Sequence, residues 1–365
     1  MTPPAATPPA ATPPTATPRA EGERLFAAFQ AAGAVPVETD ILQPAEILLD
    51  LYGEDIRARA YVTADPLRGE MMLRPDFTVP VVQSHMKHGA DPARYCYLGE
   101  VFRKQDHPET RASEYLQVGY EVFDRAAPEQ ADAEVFSLFH RLLAPLNLRP
   151  ATGDIGILMA AVRGLSTTDA RKSALLRHIW RPRRFRALLD RFSGRAAASA
   201  VLTLHASDAP LIGLRTEAEI ASRIRALTLD AATPNLAAPE AALLYDLLTL
   251  QAPAEAALGH LRGIQPLLPA IAPAVDRFAA RLAALASHGI DTKILPFEAS
   301  HGRTSLEYYD GFVFSFHGPA PLPPVASGGR YDALTAVLGA GASIPAVGGV
   351  IRPALVAQLG GAATC

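Results

Sequence analysis

Two β-rich runs of ten residues, separated by an equally long polar stretch, constrain the fold of this chain more than any other feature. The first run covers residues 94–103 and the second covers residues 114–123. Both are rich in Tyr, Phe, Val and Leu, which pack well on a half-buried sheet surface. Two such runs joined by a loop predict an antiparallel hairpin, and the loop here, residues 104–113, is unusually long.

Helices and further strands are expected around this hairpin. Helical periodicity begins near Glu21, ends at Gly33 and returns at residues 131–146. Residues 71–80 indicate a strand that enters a helix, with Asp76 or Thr78 as its cap. Apart from the hairpin, a short strand-like segment occurs at residues 59–62. The others come late in the chain, at residues 293–297, 308–316 and 344–351.

The composition along the chain suggests a division into parts. Residues 149–289 are rich in Ala and Leu and poor in aromatic residues, which is typical of a helical insertion. Residues 1–20 are dominated by Pro, Ala and Thr and are expected to be a disordered tail. We expect an α+β fold: an antiparallel sheet flanked by helices, with a core of residues 21–148 and 290–360 split by the helical lobe.

Charge and cysteine content restrict the functional class. The chain has 34 basic and 37 acidic residues, whereas nucleic-acid-binding proteins usually carry a basic excess. Its two cysteines, Cys96 and Cys365, provide no disulfide framework and no metal-ligand spacing. These features favour a cytoplasmic protein, and without a long apolar run no membrane span is expected.

The second strand of the hairpin carries the sharpest functional signal. Gln117 and Glu121 lie four residues apart and therefore share one face of the strand. A carboxylate on a core-facing strand is costly unless it is paired. With Asp76 and Thr78, these side chains match the ammonium and carboxylate groups of a free amino acid. An ordinary buried polar network is the alternative interpretation.

A basic segment remains open in its interpretation. Residues 177–191 include Arg181, Arg183, Arg184 and Arg186 around Trp180. This segment could contact an acidic partner or a phosphate group, or it is a solvated basic helix.

Four motifs, in order, resemble histidyl-tRNA synthetase and its class II relatives. Phe102-Arg103 and the run from Gln117 to Phe123 match the motif 2 hairpin. Residues 73–78 match the family's Leu-Arg-Pro-Glu-x-Thr, and Glu307-Tyr308-Tyr309 matches its Tyr-Tyr element. Gly328-Gly329-Arg330-Tyr331-Asp332 matches its Gly-Gly-Arg-Tyr-Asp motif. The resemblance implies a class II synthetase-like fold that forms a homodimer.

Departures from the family pattern argue against tRNA charging. In motif 3, Ala354 and Leu355 stand where the family has Glu and Arg, although Arg352 is a candidate substitute. The family's catalytic arginine aligns with Thr304, next to Arg303. The chain also ends ten residues after Leu355, so no anticodon-binding domain is expected. Fixed cations are needed to stabilise charge in phosphoryl and acyl transfer.

This combination is similar to the regulatory subunits of ATP phosphoribosyltransferase, which are synthetase-like and non-catalytic. The resemblance implies a hetero-octamer with a short catalytic subunit and inhibition by free histidine, without tRNA, metal or cofactor. It assigns histidine binding to Asp76, Thr78, Arg103, Gln117, Glu121, Tyr308 and Tyr309. The alternatives are an active histidyl-tRNA synthetase or other class II adenylating enzyme, and a scaffold that binds no small molecule.

Overall fold

A nine-stranded sheet forms the centre of the molecule. The computed structural model describes residues 17–52, 59–105, 112–196, 215–302 and 308–362. In chain order the strands of both sheets are β1 Val35–Pro36, β2 Leu42–Pro44, β3 Val62–Asp65, β4 Gly69–Leu73, β5 Ala93–Phe102, β6 Glu114–Phe123, β7 Arg149–Asp154, β8 Gln251–Pro253, β9 Pro296–Glu298, β10 Phe312–His317, β11 Ala326–Arg330 and β12 Ala346–Ile351. The large sheet has the order β1-β5-β6-β12-β11-β10-β7-β9-β8, and a small sheet has the order β2-β4-β3.

The large sheet is antiparallel except at two places. Strand β1 pairs with β5 in parallel, and β7 pairs with β9 in parallel. The described α-helices are α1 Pro18–Ala31, α2 Ala45–Tyr52, α3 Thr78–His88, α4 Pro128–Leu143, α5 Ile155–Arg163, α6 Asp169–Arg177, α7 Pro182–Phe192, α8 Glu217–Ala232, α9 Ala238–Thr249, α10 Ala254–Ile264, α11 Ala272–Ser287, α12 Asp332–Leu338 and α13 Pro353–Ala362. The expected α+β architecture is confirmed.

The long hairpin is confirmed residue by residue. Strands β5 and β6 pair from Ala93 opposite Phe123 to Phe102 opposite Glu114. At the start of the loop, the Arg103 amide donates to the Ser113 carbonyl at 2.7 Å, which extends the pairing by one step. The tip, residues 106–111, lies outside the described residues.

The N-terminal boundary differs from the expected one. Helix α1 begins at Pro18, inside the stretch assigned to the tail, because the Thr17 hydroxyl accepts a hydrogen bond from the Ala20 amide at 3.2 Å. A threonine cap and a proline at the first helical position together start a helix. Arg19 also pairs with Glu100 at 2.6 Å. The remainder of the expected tail, residues 1–16, lies outside the described residues.

The structure also differs from the expected boundaries of the helical lobe at both ends. Strand β7, assigned to the lobe, pairs with β10 inside the large sheet. Helix α11 lies against α4, because Arg281 donates to Asp132 at 2.7 Å and to Asp154 at 2.8 Å. The Pro and Gly residues of β7, in the sequence Arg-Pro-Ala-Thr-Gly-Asp, hide its strand character.

Three smaller expectations shifted as well. Strand β3 begins at Val62, where the expected strand of residues 59–62 ends. Strand β10 begins only at Phe312, and β11 had not been expected because of its two glycines.

The core between α4 and the sheet is aromatic and fully buried, with Phe136 and Phe139 packed on Phe314.

Candidate functional site

One small pocket brings together most of the expected site residues. It is lined by Asp76, Thr78, Arg103, Gln117, Tyr308, Tyr309, Tyr331, Gly348, Gly349 and Val350. Glu121, the seventh expected residue, lies next to this lining and bonds to Thr78. The hairpin supplies Gln117, Glu121 and Arg103, while Thr78 opens α3, and the two tyrosines precede β10.

The entry to α3 differs in detail from the expectation. The N-cap position is Phe77, and it makes no side-chain capping bond. Asp76 is 4% exposed, and its Oδ1 accepts from the Val79 amide at 3.5 Å. Asp76 therefore stands just before the helix, with its carboxylate at the positive end of the helix dipole.

A buried carboxyl group lies at the centre of the site. Glu121 is 1% exposed, and three hydroxyl groups donate to it: Thr78 at 3.0 Å, Tyr97 at 2.9 Å and Tyr331 at 2.6 Å. The Tyr308 hydroxyl donates in turn to Thr78 at 3.3 Å. A chain of hydroxyl groups thus connects the tyrosine pair to the carboxyl.

Burial dominates the acidity of this carboxyl. Removal from water raises the pKa of Glu121 to about 7, and the hydroxyl donors Tyr331, Tyr97 and Thr78 only partly oppose that effect. A carboxyl with a pKa near neutrality changes its charge when a cationic group arrives beside it. The group is therefore poised to respond to an ammonium or imidazolium ligand.

Gln117 offers the clearest unfilled bonding capacity in the pocket. Its side chain is 1% exposed, and its Oε1 atom has no hydrogen-bond partner among the described residues. A buried acceptor without a donor costs about 1–3 kcal/mol. A ligand N–H group in the pocket would recover that cost.

The pocket is closed in this structure. Its volume is about 10 Å³, roughly the space for a single water molecule. The ring centroids of Tyr308 and Tyr309 are 4.9 Å apart, and those of Tyr308 and Tyr331 are 6.0 Å apart. Any larger ligand therefore requires side chains of the pocket lining to move.

The sequence interpretation missed two residues of the site, Tyr97 and Tyr331. Both are fully buried and donate to Glu121. Tyr331 belongs to the Gly-Gly-Arg-Tyr-Asp motif, so a signal was present but had no assigned role. Tyr97 lies opposite Gly119, where a Cβ atom would approach its ring carbon to 2.2 Å. Only the pairing of β5 with β6 reveals that contact.

The absence of a side chain at Gly348 leaves room for the carboxyl group of Glu121. A Cβ at position 348 would lie 1.4 Å from Glu121 Oε2. Gly348→Ala should therefore displace that carboxyl, weaken folding by about 1–3 kcal/mol and abolish any ligand binding that needs Glu121. Denaturant unfolding measures the first effect and calorimetry the second.

Gly259→Ala is the matched control for this substitution. Apart from its own helix backbone, no atom of the described residues lies within 4 Å of a Cβ at position 259, which is in α10. Alanine there should therefore be neutral or slightly stabilising. Unchanged stability of Gly348→Ala would contradict the packing of Glu121 against the glycine.

A larger pocket adjoins the small one. Its volume is about 470 Å³, and its lining includes Arg103, Lys104, Arg352, Ala354 and Leu355. Arg103 lines both pockets. Arg352 donates to the Pro324 carbonyl at the edge of this pocket. Ala354 and Leu355 stand where the family pattern has Glu and Arg. Residues Arg303 and Thr304 lie outside the described residues.

A metal-binding cluster and a membrane-crossing helix are both absent from the described ranges. Within them, no three His, Cys, Asp or Glu side chains are grouped so that they could hold a metal ion. None of the helices in the same ranges combines the length and apolar character of a membrane crossing.

Comparison with known proteins identifies the family. The family described as "Histidyl-tRNA synthetase" matches residues 11–354. The chain is 33% identical over 347 residues to an ATP phosphoribosyltransferase regulatory subunit of Allorhizobium ampelinum, covering 88% of this chain and 92% of that one. It is 34% identical over 353 residues to the protein of the same name from Agrobacterium fabrum, covering 89% and 92%.

Solved structures support the fold. A Bacillus halodurans protein described as an ATP phosphoribosyltransferase regulatory subunit/histidyl-tRNA synthetase aligns with a TM-score of 0.68 at 21% identity, covering 94% of this chain and 78% of that one. Histidyl-tRNA synthetase from Nostoc aligns with a TM-score of 0.64 at 16% identity, covering 98% and 76%. With its class II synthetase-like sheet and these relatives, the chain belongs to the family of ATP phosphoribosyltransferase regulatory subunits, a branch of the histidyl-tRNA synthetase-like proteins.

Proposed function

We propose that this chain is a non-catalytic regulatory subunit that activates a short catalytic ATP phosphoribosyltransferase and transmits inhibition by free histidine. The observation that carries the proposal is the buried Gln117 Oε1, which has no hydrogen-bond partner among the described residues and lies beside Glu121, Thr78 and Asp76. Such a set suits the ammonium and imidazole groups of histidine, which supply N–H donors and positive charge. Arg103 and the tyrosine pair complete the proposed histidine site.

Histidine acts in this proposal by conformational linkage. The pocket holds about 10 Å³ when closed, so histidine binds only a state in which side chains of the lining have moved. A ligand that favours one state shifts the equilibrium of the whole assembly, and a coupling of about 1–3 kcal/mol is sufficient for regulation. The assembly we propose is a hetero-octamer containing homodimers of this chain.

Exposed apolar residues on the small sheet support self-association. Ile41, Tyr61, Val62 and Leu67 lie on or beside β2, β3 and β4 and are 44%, 36%, 39% and 96% exposed. A contiguous exposed apolar surface often marks a protein interface, and the homodimer we propose would cover these side chains. Light scattering on the purified chain measures the oligomeric state directly.

Loss of adenylation in this proposal follows from the larger pocket. Ala354 and Leu355 supply neither a carboxylate nor a cation to it. The alternative function, an active histidyl-tRNA synthetase, requires histidine-dependent exchange of pyrophosphate into ATP. We expect no exchange, and a robust rate would establish the enzyme instead.

The central test combines activity and binding. The catalytic subunit should co-purify with this chain, gain activity from it and lose that activity when histidine is added. Calorimetry should detect histidine binding by the chain or by the complex. Absence of binding in both would leave only a scaffolding role.

Gln117→Ala should weaken histidine binding by about ten- to one-hundred-fold, because the ligand loses a buried acceptor. Gln358→Ala is the matched control, since Gln358 lines the larger pocket and lies outside the lining of the small one. If calorimetry shows an equal loss of affinity in both variants, histidine does not bind in the small pocket.

A further inference from the structure

A dense group of arginines lies on the surface formed by the end of α6 and the start of α7. Seven basic residues occur between Asp169 and Asp190, and no acidic residue occurs between those two. One of the seven, Arg171, is 5% exposed and pairs internally with Asp230 at 2.6 Å. We name the outward-facing members the basic patch: Arg177, Arg183, Arg184 and Arg186.

The orientation of α7 explains why these arginines face outward. Phe185, Leu189 and Phe192 are buried and form the inner face of the helix. Arg183, Arg184 and Arg186 are exposed on the remaining surface. Within the described ranges, no member of the basic patch forms an ion pair with a carboxylate, whereas Arg171 and Arg191 both pair with Asp230. Among the described residues, the inner arginines thus have an acidic partner and the outer ones have none.

The position of these charges is unfavourable for the isolated helix. Cations are destabilising near a helix N-terminus, where the helix dipole is positive. The first turn of α7 contains no acidic residue, and Arg181 at the N-cap position makes no side-chain capping bond. Burial lowers the pKa of His178, and the nearby charges of Arg181, Arg184 and Arg177 lower it further.

We propose that the basic patch is a docking surface for an acidic face of a protein partner. Carboxylates from a partner would neutralise both the guanidinium groups and the positive end of α7. A nucleic acid is the less suitable polyanion, because the chain as a whole carries a net charge of −3 and would repel a long phosphate backbone beyond the patch. The choice of partner for the test rests on the proposed function: it is the catalytic phosphoribosyltransferase subunit.

The first experiment measures binding of the full chain to that subunit by calorimetry at low and high salt. Arg183→Glu/Arg184→Glu should weaken binding at least about ten-fold at low salt, because two attractions become repulsions. The affinity of this variant for the catalytic subunit should also depend less on salt than that of the wild type. The matched control is Arg223→Glu/Arg225→Glu, two exposed arginines on α8, which should bind like the wild type.

The outcomes separate the two proposals. If the wild type and Arg183→Glu/Arg184→Glu bind equally, the docking surface is wrong and the proposed function stands. If the wild type does not bind the catalytic subunit, the proposed function fails and the second experiment judges the patch by itself. Circular dichroism of each variant verifies that it folds.

The second experiment uses Trp180, the single tryptophan of the chain, which lies between Arg177 and Arg181. A glutamate-rich peptide without tryptophan should change its fluorescence saturably at low salt. The change should be lost in Arg183→Glu/Arg184→Glu and retained in the control. An RNA oligonucleotide of equal charge is the comparison. Tighter binding of the RNA, or no response to either probe, would overturn the assignment.

Discussion

Replacing Arg281 with methionine should lower the free energy of unfolding by about 3–5 kcal/mol, the usual cost of removing one partner from a buried ion pair. Arg281 is 2% exposed, and its guanidinium group donates to Asp132 at 2.7 Å and to Asp154 at 2.8 Å. Arg330 also donates to Asp132 at 2.7 Å, and the substitution leaves that partner in place. Asp154 keeps only the Gly156 amide among its described partners, so its charge stays buried without a cation.

Denaturant unfolding tests this prediction. Arg277→Met is the matched control, because Arg277 is exposed on the same helix and should change stability by less than about 0.5 kcal/mol. Adding Asp154→Asn to Arg281→Met should recover part of the loss, since it removes the stranded charge. An equal effect of the two arginine variants would mean that the ion pairs contribute nothing to stability.

The stability of the fold should also depend on the ionisation of Glu121. Its pKa of about 7 in the folded chain lies above its ordinary value of 4.5. The folded chain therefore holds a proton that the unfolded chain releases between those two values. Stability from this group is fully present below pH 4.5 and falls as the pH rises to 7, by about 3 kcal/mol in all, at 1.36 kcal/mol for each pH unit.

Comparison of the wild type with Glu121→Gln isolates this effect. Burial and the nearby Asp332 also raise the pKa of Asp310 to about 7, so both proteins share that contribution. The difference in unfolding free energy between them should shift in favour of the variant from pH 5 to pH 8. A constant difference across this range would show that Glu121 is already ionised in the folded chain.

The hairpin and the seven site residues followed from the sequence because their signals are local. Strand alternation put Gln117 and Glu121 on one face, and the motifs brought in Asp76, Thr78 and the tyrosine pair by resemblance. The structure confirms that they converge. Their role in histidine binding stays a prediction.

The boundaries of the inserted lobe could not be obtained in this way. Strand β7 has proline and glycine at positions that break the usual pattern, and only its pairing with β10 stabilises it as a strand. The sequence of helix α11 resembles that of the Ala-rich helical region before it. Its attachment to the core depends on Arg281 reaching Asp132, a contact between residues 149 positions apart.

The sequence by itself determined the class of fold and the long hairpin, because periodicity and short motifs record local geometry. By resemblance it also predicted seven site residues, which the structure brings together. Only the tertiary structure decided the state of the site. The three hydroxyl donors on Glu121 come from β5, α3 and the segment before α12, so neither the neutralising burial of that carboxyl nor the closure of the pocket is visible along the chain. Burial and hydrogen bonding between distant segments set these properties, and no local pattern encodes them.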